Sequence, residues 1–221
     1  MKNQIRNSKG QTEEEFLKEY DPSKYKKPSV TVDILIFRLG EKSSNNIGRD
    51  VEMLLIKRGN FPELGKWACP GGFIEMDESL EESAKRELYE ETGVKDVYLQ
   101  QLKTFGDPKR DKRDRVITVA YMSIIDEQLE VKAGDDAADA KWYKVNLKKR
   151  NRIKKEDGYD EKWIISLLNK DINLECILIK KVRKIGVLKS KDFQIIDGGL
   201  IASDHSKLIA FGIEKLEHIL G

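Results

Sequence analysis

Apolar positions along this chain follow two different periods, and the changes of period mark its elements. Residues 29–39 (SVTVDILIFRL) and 51–59 (VEMLLIKRG) are rich in β-branched and aliphatic side chains and predict two neighbouring strands. VKDVYLQQLKTFGD, VITVAYMSII and DAKWYKV predict further strands. Between the second strand and a helix at 79–92, NFPELGKWACPGGF carries Pro62, Gly65, Pro70, Gly71 and Gly72, which exclude a regular element. Residues 12–20 (TEEEFLKEY) read as a short helix with acids in its first turn, ended by DPSKYKKP. At the other end, Leu208, Ile209, Ile213, Leu216 and Leu220 recur at helical spacing. From Val145 to Ser203 the pattern offers a basic run (LKKRNRIKK), a short helix over EKWIISLLN, and two strand-like segments, LECILIKKV and FQIID, read as a hairpin. Strands on both sides of a helix give an α/β (α+β) class.

Composition narrows the picture. Of the 221 residues, 39% are hydrophobic and 36% charged, which supports a packed core under a charged surface. The net charge of +2 gives no electrostatic ground for a nucleic-acid or membrane partner. No apolar run approaches membrane-spanning length, the start MKNQIRNSKG lacks a signal-peptide core, and Cys69 and Cys176 form no C-x-x-C pair. The expectation is a reduced, cytoplasmic protein.

The helix at 79–92 carries the chemistry. Ser79 and Glu82 have the spacing of a capping box, and Gly93 suits the left-handed residue that ends a helix. At roughly 100° per residue, Leu80, Ala84 and Leu88 form the stripe that packs inward. Glu87 and Glu91 fall within that stripe and Glu90 lies on its edge. An unpaired buried carboxylate costs several kcal/mol, on the order of its desolvation, so something positive must meet these acids. Arg86 reaches Glu90 at i+4, but one guanidinium does not neutralise three acids. With no His or Cys nearby, a hard divalent cation, Mg²⁺ or Mn²⁺, fits the donors. The alternative is a solvated, salt-bridged surface helix.

GFIEMDESLEESAKRELYEETGV resembles the Nudix box, G-x5-E-x7-R-E-U-x-E-E-x-G-U with U apolar, and fills it with Gly72, Glu78, Arg86, Glu87, Leu88, Glu90, Glu91, Gly93 and Val94. The resemblance implies a Nudix-type α/β/α sandwich with a mixed β-sheet. It implies cation binding by Glu87, Glu90, Glu91 and the Gly71 carbonyl, with Arg86 orienting the acids and Glu78 supporting the loop. Gly71 and Gly72 lack side chains where the backbone must approach a metal or phosphate closely. SVTVDILIF, LIKRGNFPELGKWACPGGF, FGDPKRDKRDRVITVAY, AGDDAADAKWY and LIASDHSKLIAFGIEKL extend the resemblance to a bacterial group of ADP-ribose pyrophosphatase-like hydrolases and related regulators of NAD metabolism. The organisation expected is an arm at 1–28, a Nudix domain at 29–147 plus 199–221, and an insertion at 148–198.

The general base expected from the family pattern is Asp136, with Asp135 second, against simple turn acids. Arg58 and Lys66 flank the glycine turn, and Arg110, Arg113 and Arg115 cluster in DPKRDKRDR; all five are candidates for the diphosphate, against solvated surface cations. Phe105 reads as core rather than as a base-stacking ring, Trp67, Trp142 and Trp163 as packing residues, and Cys69 as a small buried hydrophobe. His205 and His218 read as capping or surface residues. The activity implied is hydrolysis of ADP-ribose to AMP and ribose 5-phosphate, although the proline some such hydrolases carry after the box is not at its offset (Pro108 lies nearby). The alternatives are a nucleoside-triphosphate or sugar-nucleotide pyrophosphatase and a non-catalytic DNA-binding regulator, whose footprint would be LKKRNRIKK. The acid set and the expected final helix at 203–220, with no room after it for a winged helix, weigh against the regulator. A homodimer is expected, with contacts from the hairpin and the 12–28 arm.

Overall fold

The β-branched stretch at 29–39 becomes strand β1 (Ser29–Lys42), and the rest of the molecule is arranged around it. The computed structural model describes residues 5–42, 47, 49–125, 131–134 and 137–221. In it β1 runs antiparallel to β2 (Arg49–Arg58) and parallel to β6 (Val116–Ile125), in register from Ser29↔Val116 to Arg38↔Ile125. Outside β6 lies β5 (Gln100–Phe105). Outside β2 lie β7 (Ala137–Lys155), β8 (Gly158–Leu168), β9 (Asn173–Ile185) and β10 (Leu188–Asp197). Two short strands, β3 (Trp67–Ala68) on β2 and β4 (Gly71–Phe73) on β1, complete a mixed sheet in the order β10-β9-β8-β7-β2-β1-β6-β5. The helices are α1 (Glu13–Glu19), α2 (Leu80–Thr92) and α3 (His205–Leu220). This is the α+β sandwich expected, with a helix on each face of a curled sheet.

The larger core lies between the concave face and α3. Leu208, Ile209, Ile213 and Leu216 are fully buried there against Leu35, Phe37 and the inward residues of β7 to β10. Each such side chain contributes about 1.5–3 kcal/mol. The curl is tight enough that both ends of the sheet meet one ring. Phe105 on β5 and Phe193 on β10 each stack edge-on against Phe211 of α3, with centroids 5.6 and 4.9 Å apart. On the opposite face Ala84 and Leu88 of α2 pack on Val32, Ile34, Ile36 and Leu54. Phe105, Trp67, Trp163 and Cys69 are buried as expected, while Trp142 is half-buried under the Arg38 guanidinium at 4.4 Å.

The segment 148–198 differs from expectation. EKWIISLLN is not a helix but most of β8, bonded to β7 on one side and β9 on the other. An apolar run satisfies either period, and only the neighbours decide. Here Trp163, Ile165 and Leu167 are buried while Ile164, Ser166 and Leu168 are not, an alternation no helix produces. The basic run is likewise in β7, where Lys149 turns inward to Glu217 at 2.6 Å and Lys148 and Arg150 turn outward. The β9–β10 hairpin forms as expected, but as the end of the parent sheet. Lys180 and Lys191 pin it to Glu214 of α3 at 2.7 and 3.0 Å, and Lys207 of α3 reaches Asp192 at 2.7 Å.

Gly212 shows how closely α3 sits on the sheet. A Cβ there would lie 2.5 Å from Leu35 Cδ2 and 3.1 Å from the Phe37 ring, both fully buried. Alanine normally improves a helix interior by up to ~1 kcal/mol over glycine. At this contact the sign reverses: Gly212→Ala is expected to destabilise by about 1–3 kcal/mol through overpacking, read as a lowered midpoint in urea unfolding.

Candidate active site

Helix α2 begins as the sequence dictates. The Ser79 hydroxyl accepts from the Glu82 amide at 3.2 Å, the Glu82 carboxylate accepts from the Ser79 amide at 2.8 Å, and Gly93 closes the helix at φ 72°. With Ala84 and Leu88 fixed in the core, Glu87 and Glu91 are carried inward, one turn apart. Glu91 is 9% exposed and its Oε2 accepts from the Gly71 amide at 2.7 Å. The turn it meets is built for close approach. A Cβ on Gly71, at φ 151°, would overlap the Val32 carbonyl, and one on Gly72 would strike the Glu87 carboxylate.

Arg86 is the hub. Its Nε and Nη2 donate to Glu78 at 3.0 and 2.6 Å, Nη1 to Glu87 at 2.8 Å and Glu90 at 3.0 Å, and Nη2 to the Phe73 carbonyl at 3.1 Å. Glu78 also accepts from the Glu75 amide at 2.8 Å, so Glu78 and Arg86 together fix the loop between the glycine turn and the helix. The guanidinium holds the Glu78 carboxyl down at about 2. It does not do so for the inner acids. Burial raises Glu87 above the ordinary carboxylate range against the pull of Arg86. Burial pushes Glu91 up to about 8, with Glu87 and Asp33 adding negative charge.

Among the described residues no three carboxylate, imidazole or thiol groups stand together as a ready-made cation cage, and Glu90 is turned to Arg86. The donor set nevertheless fits a hard divalent cation. Two inward carboxylates with raised pKa converge on a turn whose backbone is bare of side chains, and Arg86, the guanidinium paired with Glu87, is already shared with Glu78 and Glu90. Glu87, Glu90, Glu91 and the Gly71 carbonyl are the groups that would hold it.

The acids line a cleft of about 480 Å³ whose other walls include Arg58, Asn60, Phe61 and Phe73. Phe61 and Phe73 present exposed rings, a feature the sequence reading missed because each looks like an ordinary loop aromatic. Arg58 lines this cleft and donates to the Pro62 carbonyl at 2.8 Å. It also lines an adjoining small recess with Arg110 and Arg113, so the structure gathers three of the five candidate cations. Arg113 pairs with Asp111 at 2.8 Å and lies 4.9 Å over the Phe73 ring. Arg110 is buried and paired with Asp204 through two bonds of 3.0 Å. Lys66 is instead engaged with Glu63 at 2.6 Å, and Arg115 reaches back to the Val116 carbonyl at 3.5 Å. Asp135 and Asp136 lie outside the described residues. The turn before them is tied to α2, with Lys132 and Gly134 amides donating to the Thr92 and Glu91 carbonyls at 3.0 and 3.1 Å.

Behind the glycine turn lies a buried polar network that the sequence reading did not assign. Asp33 stands in β1 with apolar neighbours, accepts from the Thr118 hydroxyl at 2.6 Å, and faces Arg110 at 3.7 Å and His205 Nε2 at 3.8 Å. His205 is thus neither a cap nor a surface residue. Its Nδ1 accepts from the Cys69 amide at 3.1 Å, which leaves the ring proton on Nε2, facing Asp33. The Ala202 amide, three residues before His205, donates to the Trp67 carbonyl at 2.8 Å and holds the start of the helix against β3. Burial, with Asp33 and Asp204 close by, raises the Cys69 thiol well above its ordinary pKa, so this cysteine stays protonated and inert. A lone acid within VTVDILIF was the legible signal, since a strand buried on both faces accepts one only with partners.

Comparison with known proteins agrees with this geometry. A family model described as the NUDIX domain matches residues 27–163. The ADPR responsive transcriptional repressor NtrR of Acinetobacter baylyi is 39% identical over 116 residues, 52% of this chain and 44% of its own length. The ADP-ribose pyrophosphatase of Methanocaldococcus jannaschii is 37% identical over 135 residues, 59% of this chain and 72% of its own. The chain therefore spans less than half of the first relative and about seven-tenths of the second. Among solved structures, a MutT/nudix family protein from Enterococcus faecalis superposes with a TM-score of 0.66 at 29% identity, covering 93% of this chain and 70% of that one. The NUDIX domain of Shewanella oneidensis NrtR, crystallised with ADP ribose, gives a TM-score of 0.52 at 37% identity, covering 60% and 82%. With its box complete, its acids gathered against the glycine turn and its sheet curled in the same way, the chain belongs to the Nudix family.

Proposed function

We propose that this protein is a Mg²⁺- or Mn²⁺-dependent hydrolase that splits ADP-ribose, with water, into AMP and ribose 5-phosphate. The observation that carries the reading is the pair Glu87 and Glu91, held inward over the Gly71–Gly72 turn with raised pKa and no sufficient counter-charge. When bound, the cation supplies neutralising charge for the diphosphate and lowers the pKa of the attacking water. Arg86 sets the rotamers of Glu87 and Glu90 while Glu78 anchors Arg86 itself. Arg58 and Arg113 face phosphate oxygens, and Phe61 and Phe73 offer flat apolar walls for adenine. Asp136 takes the proton from water as it attacks phosphorus, and AMP or ribose 5-phosphate leaves with its bridging oxygen. The relatives described as an ADP-ribose pyrophosphatase and as a domain crystallised with ADP ribose support this substrate class.

A second reading, an ADP-ribose-responsive regulator, is favoured by the Acinetobacter relative's description as a repressor. A panel of ADP-ribose, NADH, diadenosine polyphosphates and nucleoside triphosphates with Mg²⁺, with products identified by mass, separates the readings. Rapid release of AMP from ADP-ribose is expected, and tight ADP-ribose binding without turnover would install the regulator instead.

Removing the inner acids tests the metal assignment. Glu87→Gln and Glu91→Gln are each expected to reduce turnover at least ~100-fold, given the several kcal/mol that a catalytic metal contributes. Glu91→Gln also has a readout independent of activity. Its carboxyl is raised from 4.5 to about 8 on folding, so its contribution to stability is full below about pH 4.5 and is lost as pH climbs through 8. In EDTA the wild type should therefore lose stability from pH 5.5 to 8.5 relative to the variant, and the variant should melt several degrees higher at pH 8.5, at about 2–4 °C per kcal/mol. Parallel pH profiles for the two proteins would count against a strained, uncompensated Glu91.

The base is tested separately. Asp136→Asn is expected to lower kcat by roughly 10²–10⁴-fold while changing Mg²⁺ affinity little, with Asp135→Asn milder. Equal and small effects in both would move the base elsewhere.

A further inference from the structure

The N-terminal arm is folded but touches little. Helix α1 has a complete capping box, with Thr12 accepting from the Glu15 amide at 3.3 Å and Glu15 accepting from the Thr12 amide at 2.8 Å, yet none of its residues is buried. Among the described residues, the side-chain hydrogen bonds of residues 6–23 are all made within the arm. Seven residues form too short a helix to be stable alone in water, where about 12–15 residues are already marginal. Its apolar side shows what is missing. Phe16, Leu17 and Tyr20 fall within roughly 100° of one another, and all three are exposed, as is Tyr25 after them. Glu13 stands within that stripe, Glu14 and Glu19 flank it, and neither Glu13 nor Glu14 is in an ion pair among the described residues.

The same chain has an uncovered surface of complementary character. On the outer face of β7, β8 and β9, cross-strand rows place Lys148 beside Ile164 and Ile177, and Arg150 beside Lys162 and Ile179. The three isoleucines are only partly buried and belong to none of the apolar clusters. Helix α3 lies on the opposite, concave face, and α2 covers the other end of the sheet. Lys148, Arg150 and Lys162 have no carboxylate partner among the described residues. Residues 148–198 hold fourteen Lys or Arg against eight Asp or Glu, so the positive charge is a property of the whole meander. The dimensions agree as well. A seven-residue helix is about 10 Å long, and three strands span about 10 Å between outer axes.

We infer that the arm of one copy docks on the outer β7–β9 face of a second copy. Phe16, Leu17 and Tyr20 would lie on Ile164, Ile177 and Ile179, with Glu13, Glu14 and Glu19 against Lys148, Arg150 and Lys162. A two-fold axis makes the exchange reciprocal, so each dimer has two such contacts. The contact lies on the flat face of the meander, not on the β10 edge of its hairpin. The neutralised basic face is then unavailable to nucleic acid.

Light scattering of the full chain should give the mass of two chains, against 25.4 kDa for one. Phe16→Ser with Tyr20→Ser in the arm, and separately Ile177→Lys in the face, should each give monomers with wild-type circular dichroism. Mixing these two variants should restore association, because the intact arm of one meets the intact face of the other. Should Ile177→Lys fail to fold, Lys148→Glu with Lys162→Glu takes its place, and its dimer should return when mixed with a chain carrying Glu13→Lys and Glu14→Lys. A monomeric wild type at micromolar concentration overturns the proposal, including one whose arm is protected from hydrogen exchange by docking on its own chain. Dimers that survive both classes of variant overturn it too, as does a monomer whose basic face binds duplex DNA at physiological salt.

Discussion

The rest of the site depends on one arrangement: two carboxylates carried on the inward stripe of a helix that has no choice about its orientation. Ala84 and Leu88 are fixed in the core, so Glu87 and Glu91 must follow them inward. Ordinary folding would avoid this, since a buried unpaired carboxylate costs several kcal/mol, on the order of its desolvation. The chain tolerates it by giving Arg86 three acids to hold and by raising the protonation of Glu91, which shares the strain between an ion-pair hub and a bound proton. The glycine turn follows from the same demand. Any side chain at Gly71 or Gly72 would occupy the space into which the acids and the β1 backbone press.

A turn so bare of side chains needs an external frame, and the network behind it provides one. Asp33 is on β1, Thr118 on β6, Arg110 on the loop after β5, and Asp204 and His205 at the start of α3. These polar groups partner one another, which offsets part of their desolvation cost, and they link four segments to the amide of Cys69, two residues before Gly71. The extended sheet stabilises the far end of α3 in turn, through Lys149 to Glu217 and Lys180 to Glu214. The 148–198 meander is thereby linked to the glycine turn through α3, two packing steps removed.

What could be read from the sequence followed from local rules. The capping box, the Gly93 terminator and the inward acids of α2 are all one-helix statements, and each is observed as expected. The strands β1, β2 and β6 were equally plain, because their β-branched and aliphatic runs are short and bounded by polar or turn-forming segments. The failures share a cause: they turn on partners far away in sequence. WIISLL reads as helix or strand until β7 and β9 are known to flank it. His205 looks like a first-turn surface residue until the Cys69 amide, 136 positions earlier, is found against its ring. Arg110 remains a candidate for the diphosphate, but its bidentate partner Asp204, 94 positions later, was equally beyond the reach of a local rule.

The difference between a hydrolase and a pure sensor can be argued from the same acids. A domain that only binds a diphosphate gains from positive charge in its cleft and loses from negative charge there. Glu87 and Glu91 line this cleft, and burial raises the pKa of both. Gln at either position would keep the shape, would preserve the bond from the Gly71 amide at position 91, and would ease both the fold and the approach of an anion. In the hydrolase proposed above, a bound cation would reverse the local charge, with Glu87 and Glu91 among the groups that would hold it and Arg86 keeping their geometry. The feature that strains the cleft would then attract the diphosphate, and on this ground we prefer turnover to sensing.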